Sequence, residues 1–296
     1  MAAPTVHVPV LPAEVLQWLD PQPGKILVDG TLGGGGHTRM MAERLGDEGY
    51  VVAVDRDAIP LQRAEETLAG LPVKVAHANF VEIPKILDSL EIDQVDGILL
   101  DLGLSSDQLA DDERGFSFES DGPLDLRFDF RDKKTAADLV NHLKEKDLAD
   151  LIYQNGEERL SRRIAKKICH IRKETPFETS KQLADVVASC YPRAGGSGRG
   201  RIHPATRTFQ ALRIAVNREL SSLETALETL PDRLKPGGRL AIISFHSLED
   251  RPVKQAFIDD PRLNRLTRKP ITATDEEIAA NPRSRTAKLR VAERVG

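Results

Sequence analysis

A glycine-rich turn between an apolar run and a helix-like segment is the part of this chain best suited to bind a ligand. Residues 26–28 are apolar, Asp29 follows, and the glycines 33–36 precede a helix-like segment, 39–45. A strand, a tight turn and a helix start together expose backbone N–H groups, which is how α/β sheets hold nucleotide-like ligands. Glycine suits such a turn because a Cβ would keep the ligand away and because these turns often need positive φ.

A second acidic residue makes this pattern more specific. Asp55 ends the next apolar run, 50–54, where a carboxylate that binds ribose hydroxyls is expected. The dinucleotide fingerprint G-x-G-x-x-G is not met, because Thr38 or Arg39 stands at its last position. Asp29 would repel a pyrophosphate but suits an ammonium group. The arrangement is typical of S-adenosylmethionine-dependent methyltransferases and disfavours a nicotinamide-dependent oxidoreductase, while a purely structural turn is the remaining alternative.

Two further polar sites follow predicted strands. Asp101, Ser105 and Ser106 come at the end of the fourth strand, and His246 comes after the fifth. In enzymes that methylate exocyclic amines, a hydrogen-bond acceptor at this edge orients the amine lone pair for in-line attack. Asp101 could supply that acceptor, bind the cofactor, or only cap the next turn. His246 could contact a substrate phosphate, accept a proton, or have a structural role.

Loop segments rich in arginine and aromatic residues predict contacts with a nucleic acid. Residues 114–118 and 123–128 combine phenylalanines, arginines and an aspartate, enough to stack a base and read its edge. The phenylalanines could equally fill the core, and at least two of the three at 116, 118 and 128 are expected there. Residues 193–207 carry four arginines and are typical of a phosphate-binding loop or of a solvated loop, and the basic residues 281–290 are typical of a segment that contacts an RNA backbone.

The apolar runs predict an open, doubly wound α/β sheet with a helical insertion. Five strands are expected, at 26–29, 50–55, 73–77, 95–101 and 239–244, with a final edge strand at 288–295. Between about 110 and 207 the pattern is helical, and a capping box at Thr135 opens one of these helices. A single long helix is predicted over 206–230. We therefore expect a discontinuous domain, 1–109 with 208–296, and an inserted helical substrate-recognition domain, 110–207.

Composition limits the class of protein. Residues 1–150 hold 14 Lys and Arg against 29 Asp and Glu, a net charge of −15, whereas residues 151–296 hold 28 against 17, a net charge of +11. This asymmetry indicates a directed basic face for a polyanion. The two cysteines have no metal or redox spacing, and no zinc-ligand set is evident, so no metal is expected. No apolar stretch approaches membrane-spanning length, which predicts a cytoplasmic protein without a membrane partner.

Seven motifs together resemble one known family. They lie at residues 7–11, 29–38, 101–106, 114–118, 203–214, 244–251 and 281–285. The chain is similar, almost from end to end, to the bacterial small-subunit (16S) ribosomal RNA cytosine N4-methyltransferases, the MraW or RsmH family. The resemblance implies a class I methyltransferase fold and methyl transfer from S-adenosylmethionine to N4 of one cytidine in the ribosomal decoding region. The RNA partner would be 16S rRNA, within the small subunit, and a homodimer is left open.

The resemblance also implies site residues. The implied cofactor contacts are Gly34, Gly35, Gly36, His37, Asp55, Phe80, Asp101 and Gln108, with Asp55 on the ribose hydroxyls and Phe80 against the adenine. The residues predicted to contact the substrate are Arg114, Asp125, Arg127, Arg207, His246, Arg283 and Arg285. DNA amino-methyltransferases commonly have Asp/Asn/Ser-Pro-Pro-aromatic at the fourth strand, where this chain has Asp101-Leu102-Gly103. The catalytic hydrogen bond is therefore expected at Asp101, then at Ser105 or Ser106.

Two alternatives of different kinds stay open at this point. A methyltransferase of the same fold could modify DNA or a protein amine. A non-catalytic factor could bind RNA only when S-adenosylmethionine is present.

Overall fold

The structure, a computed structural model, describes residues 8–118, 121–192 and 203–296. Most of the arginine-rich loop predicted to grip phosphate lies outside these residues, as does the side chain of Ser106. The described residues form two compact units. The first contains the described part of Met1–Ser106 together with Leu220–Gly296, and the second is the described part of Asp107–Glu219.

The first unit is built on one sheet. Its strands are β1 (Ile26–Asp29), β2 (Tyr50–Asp55), β3 (Val73–His77), β4 (Val95–Asp101), β5 (Leu234–Ser244), β6 (Leu263–Arg265) and β7 (Lys288–Arg294). They lie in the order β3-β2-β1-β4-β5-β7-β6, with β1 to β5 parallel and β7 antiparallel to both of its neighbours. The strand order reverses between β1 and β4, because β2 and β3 follow on one side of β1 and β5 follows on the far side of β4. The carboxyl ends of β1 and β4 therefore form the topological switch point where open α/β sheets bind ligands.

Both faces of this sheet are covered by helices. The helices of the first unit are α1 (Pro12–Leu19), α2 (Gly36–Leu45), α3 (Ala58–Thr67), α4 (Ile83–Ser89), α11 (Glu219–Thr229), α12 (Ser247–Asp259) and α13 (Asp275–Ala280). Along β4, Ile98 and Leu100 belong to one buried cluster with α4, α11 and α12, whereas Leu99 belongs to another with α1 and α2. Burial on alternate sides explains why these parallel strands are continuous apolar runs.

The second unit is helical. Its helices are α6 (Ala136–His142), α7 (Glu145–Gly156), α8 (Ser161–Ile171), α9 (Ser180–Ala188) and α10 (Thr206–Asn217), while α5 (Ser106–Ala110) lies at the boundary between the units. α7 and α10 approach closely at Gly156, where a Cβ would lie 2.4 Å from the carbonyl oxygen of Arg207. Glycine is needed here because the backbone of α10 occupies the space of a side chain.

The predicted strands at 26–29, 50–55, 73–77 and 95–101 are confirmed, and the capping box at Thr135 is present. Two features of the sheet differ from the prediction. β5 begins at Leu234 rather than at 239, and β7 is not an edge strand, because the three-residue β6 pairs with its outer side. So short a strand has no periodicity that could be recognised in the sequence. Among the described residues, no helix is both long and apolar enough to cross a membrane.

The predicted helix over 206–230 is wrong as a single element, and the predicted domain boundary moves with it. Arg218 adopts φ 51° and separates α10 from α11. α10 packs on α7 and therefore belongs to the second unit, which ends at Glu219 rather than at 207. The amphipathic pattern continues through the break, which is why it predicts one long helix.

One buried amide fixes a loop of the second unit. The Asn217 side chain accepts a hydrogen bond from the Phe128 backbone N–H at 2.8 Å and donates to the Leu126 carbonyl oxygen at 2.7 Å. Asn217→Ala would leave these backbone groups unsatisfied in a buried place. We expect it to lower the free energy of unfolding in urea by about 1–3 kcal/mol.

The exposed Asn264 offers a matched control, because Asn264→Ala removes the same amide from the surface strand β6. That variant should change stability by less than about 0.5 kcal/mol. Equal effects of the two substitutions would contradict the role assigned to Asn217.

Candidate active site

The glycine turn after β1 has the conformation that the sequence predicts. Gly35 adopts φ 77°, in the left-handed region that favours glycine, and α2 begins at Gly36. A Cβ on Gly36 would lie 2.9 Å from the ring of Pro9, so the backbone there is approached closely by another segment.

Hydrogen bonds join this turn to three neighbouring strands. The carboxylate of Asp29 accepts from the Thr31 N–H at 3.1 Å and from the Thr38 hydroxyl at 2.7 Å. The Thr31 hydroxyl in turn accepts the backbone N–H of Asp101 at 2.7 Å, at the end of β4. Asp55, at the end of β2, accepts the Gly33 N–H at 2.8 Å. The carboxyl ends of β1, β2 and β4 are thus fixed relative to one another.

Burial raises the pKa of all three acidic side chains at this edge. The pKa of Asp55 rises to about 6, because burial outweighs the hydrogen bonds from the N–H groups of Asp57 and Gly33. The pKa of Asp101 rises to about 7, mainly through burial; the Arg283 guanidinium lowers it, while Asp29 and Glu249 raise it. Burial also raises the pKa of Asp29. A cation in this place would therefore be favoured and an anion repelled.

Asp101 has an oxygen available for a ligand. Its side chain is 10% exposed, and Oδ2 lies 3.8 Å from Nε2 of the buried His37. Oδ1 is buried and has no hydrogen-bond partner among the residues that the structure describes. A buried carboxylate oxygen without a partner is costly, and the usual remedy is a bound N–H or O–H donor.

The structure gathers most of the predicted cofactor residues at this edge. The glycines, His37, Asp55 and Asp101 surround the turn, and Phe80 is buried behind it, with its Cβ 3.2 Å from the place of a Cβ on Gly30. Ser105 is buried after β4. Gln108 belongs to the second unit and is half-buried there.

Three of the predicted substrate residues also lie in the first unit. His246 follows β5, and its Nε2 is 3.2 Å from Oε1 of the buried Glu249. Glu249 is held by the Phe245 N–H, which donates to Oε2 at 2.9 Å. Arg283 and Arg285 lie on a 3₁₀ turn before β7, where Arg285 is exposed and Arg283 is half-buried.

The other predicted substrate residues are in the second unit and have internal partners. Arg114 is 2% exposed and donates to the carbonyl oxygens of Arg127 and Phe128 at 3.0 and 2.9 Å. Arg127 forms a bidentate pair with Asp125, with both distances 2.7 Å. Arg207 is exposed and donates to the Glu157 carbonyl oxygen at 3.1 Å. These contacts explain the local fold, and substrate binding by these residues stays a prediction.

Comparison with known proteins identifies the family. The profile of the MraW methylase family matches residues 4–295. The chain belongs to the MraW methylase family. Among its relatives, the ribosomal RNA small subunit methyltransferase H of Deinococcus deserti is 52% identical, over 98% of this chain and 94% of the relative. The protein of the same name from Geobacter sulfurreducens is 49% identical, over 98% of this chain and 99% of the relative.

Solved structures resemble this member of the MraW family more distantly. A SAM-dependent O-methyltransferase from Thermotoga maritima has 12% identity and a TM-score of 0.45, covering 96% of this chain and 64% of that one.

The family confirms the predicted enzyme class, and the strand order fits the predicted fold class. This MraW-family chain is an S-adenosylmethionine-dependent methyltransferase, and its sheet has the class I, Rossmann-like fold. The residues at the carboxyl edge fit that cofactor, because its sulfonium and ammonium groups are cations and the edge is acidic. Each Asp55 oxygen holds one backbone N–H and keeps a second lone pair, which could accept a ribose hydroxyl.

Sequence reasoning missed several residues that support the site. Thr31 and Thr38 flank the glycines, and their place within the motif was a usable signal. For Glu249 the sequence indicates only an acidic residue in the first turn of a helix. The buried pair of Asp250 and Arg290, with Nε 2.6 Å from Oδ1, anchors the start of α12 to β7 and had no signal in the sequence.

The raised pKa of Asp101 predicts a pH-dependent stability of the cofactor-free protein. Its folded pKa, about 7, lies above the usual value of 3.8, so the folded state binds more protons between these two pH values. Stability should therefore fall as the pH rises through this range, with up to about 1.4 kcal/mol per pH unit from this carboxyl. Asp101→Asn should flatten the dependence, measured by urea unfolding at several pH values.

Asp93→Asn is the control, because the Asp93 side chain is 96% exposed. In this variant the free energy of unfolding should depend on pH as steeply as in the unchanged protein. An Asp101→Asn variant with that same slope would contradict the account of the site.

Proposed function

We propose that this protein transfers a methyl group from S-adenosylmethionine to the exocyclic N4 of a cytidine in the decoding region of 16S ribosomal RNA. The observation that carries the substrate class is the 48–52% identity to proteins named ribosomal RNA small subunit methyltransferase H, over at least 97% of this chain. The acceptor within the small ribosomal subunit and a location in the cytoplasm are parts of the same proposal.

The cofactor would be held at the edge formed by β1, β2 and β4. Gly34 to Gly36 and His37 would contact it through the turn, Asp55 would accept its ribose hydroxyls, and Phe80 would border the adenine. Gln108 is the remaining predicted cofactor contact. The bound cofactor supplies an electrophilic methyl group on a positively charged sulfur. The acidic side chains favour that charge, since burial of a cation needs nearby carboxylates.

The acceptor amine would be positioned by Asp101. Its Oδ1, buried and without a hydrogen-bond partner among the described residues, can accept an N–H from N4 and so direct the nitrogen lone pair toward the methyl group. The new bond joins N4 to carbon, the carbon–sulfur bond breaks with its electrons on sulfur, and N4 must then lose one proton. The Asp101 carboxylate, which the nearby cation keeps ionised, can accept that proton.

The rest of the predicted set would act on the RNA. Ser105 and Ser106 follow Asp101 and are the next candidates for the contact with the amine. His246, Arg207, Arg283 and Arg285 would contact the RNA backbone. We assign the second unit, Asp107–Glu219, to substrate recognition.

Methyl transfer to small subunits that lack the modification tests this proposal. We expect label from S-adenosylmethionine to appear in N4-methylcytidine when the RNA is digested and its nucleosides are separated. Asp101→Asn should lower kcat by about 100-fold or more, because it removes a positioned proton acceptor. Asp55→Ala should act mainly on the KM for the cofactor, and Asp93→Ala should match the unchanged protein.

Two results would contradict parts of the proposal. Label in another nucleoside, or transfer to duplex DNA or a protein in preference to the subunit, would refute the acceptor. Full activity of Asp101→Asn would refute the role given to its carboxyl group.

A further inference from the structure

Aromatic side chains of the second unit differ sharply in their exposure. Phe116 and Phe128, two of the rings that the sequence offered for base stacking, are buried against each other with centroids 5.4 Å apart. Phe130, two residues further along, is 51% exposed. Phe116 and Phe128 thus belong to the core, and the ring presented to solvent is one that no motif singled out.

Phe130 is held in place by two arginines. The guanidinium carbon of Arg114 lies 4.7 Å from the centre of the ring, and that of Arg127 lies 5.4 Å from it. Arg127 also donates to the carbonyl oxygens of Phe130 and Asp132, at 3.4 and 2.7 Å. A ring fixed by cations and by its own backbone loses little freedom when a ligand binds, which favours affinity.

The segment around the ring, residues 125–134, carries four cationic side chains against three acidic ones, the third acid being Asp132, so its net charge is +1. Asp125 is paired with Arg127, and Asp129 with Arg131. Lys133 and Lys134 follow and are exposed. Aromatic rings interleaved with exposed cations are typical of surfaces that bind single-stranded nucleic acid, where bases stack and phosphates meet the cations.

We propose that Phe130, together with Lys133 and Lys134, forms a stacking platform for an unpaired base of the RNA. The inference deepens the proposed function, since it names a recognition surface for the same substrate. It also gives Arg114, Asp125 and Arg127 a defined role, because they hold the platform while the base contacts Phe130. An unpaired base is favoured over a duplex because only an unstacked base offers a face to the ring.

Binding of a fluorescently labelled single-stranded RNA, measured by anisotropy on the full chain, tests the platform. Phe130→Ala should raise Kd about tenfold, the effect expected for loss of one stacked base. Phe130→Trp should keep the affinity, because it preserves an aromatic face. Tyr153→Ala is the matched control, since Tyr153 is 60% exposed on α7 of the same unit, and its Kd should not change.

The lysines supply an independent arm of the experiment. Lys133→Ala and Lys134→Ala should each weaken binding and make Kd less dependent on salt concentration, because each removes one phosphate contact. Melting temperatures of all variants show whether the fold is kept. If Phe130→Ala were to unfold, the lysine variants would still decide the outcome, and unchanged Kd values for both would overturn the platform.

Three results would overturn the platform. They are equal affinities of Phe130→Ala and Tyr153→Ala, competition by duplex RNA as strong as by a single strand, and absence of RNA binding by the unchanged protein. The assay needs no methyl transfer. Binding that depends on Phe130, without any N4-methylcytidine formed on the ribosomal subunit, would therefore refute the proposed function and leave the platform standing.

Discussion

The hydrogen bonds of Thr31 and Asp29 hold together the edge on which the rest of the site depends. Thr31 donates its N–H to Asp29 and accepts the N–H of Asp101, so the turn after β1 and the end of β4 cannot move apart without leaving buried polar groups unsatisfied. Asp55 extends the same constraint to β2 through Gly33. The glycines themselves carry no side chains, so the shape of the turn depends on the hydrogen bonds that Asp29, Thr31 and Asp55 make around them.

The same arrangement brings acidic groups close together in a place with little water. Asp29, Asp55 and Asp101 all have raised pKa values, and Glu249 adds its charge near Asp101. Like charges at a buried edge are unfavourable without a ligand, and a cation relieves them. This explains in physical terms why a donor that carries a sulfonium and an ammonium group suits this site better than a pyrophosphate. It also leaves a carboxyl group that can take up a proton near neutral pH.

Much of the first unit could be predicted from the sequence, because its strands are buried on both faces and end in turn residues. Asp29, Asp55 and Asp101 could be placed at one edge from parallel topology alone. The break between α10 and α11 at Arg218 could not be predicted, because the amphipathic pattern continues through this left-handed residue without a change. The exposure of Phe130 could not be predicted either. Phe116, Phe128 and Phe130 have the same side chain, and only tertiary contacts decide which of them are buried. The pair of Asp250 and Arg290 joins residues far apart in the chain, which periodicity does not report.

We propose that the cofactor binds as a cation at the acidic edge formed by β1, β2 and β4. Calorimetric titration with S-adenosylmethionine at about pH 6.5, in two buffers of different ionisation enthalpy, measures the protons exchanged on binding. A bound cation lowers the pKa of Asp101, so we expect release of up to about one proton, and a much smaller release from Asp101→Asn. Tight binding without proton release, or a release unchanged in Asp101→Asn, would show that the cofactor does not bind as a cation beside Asp101.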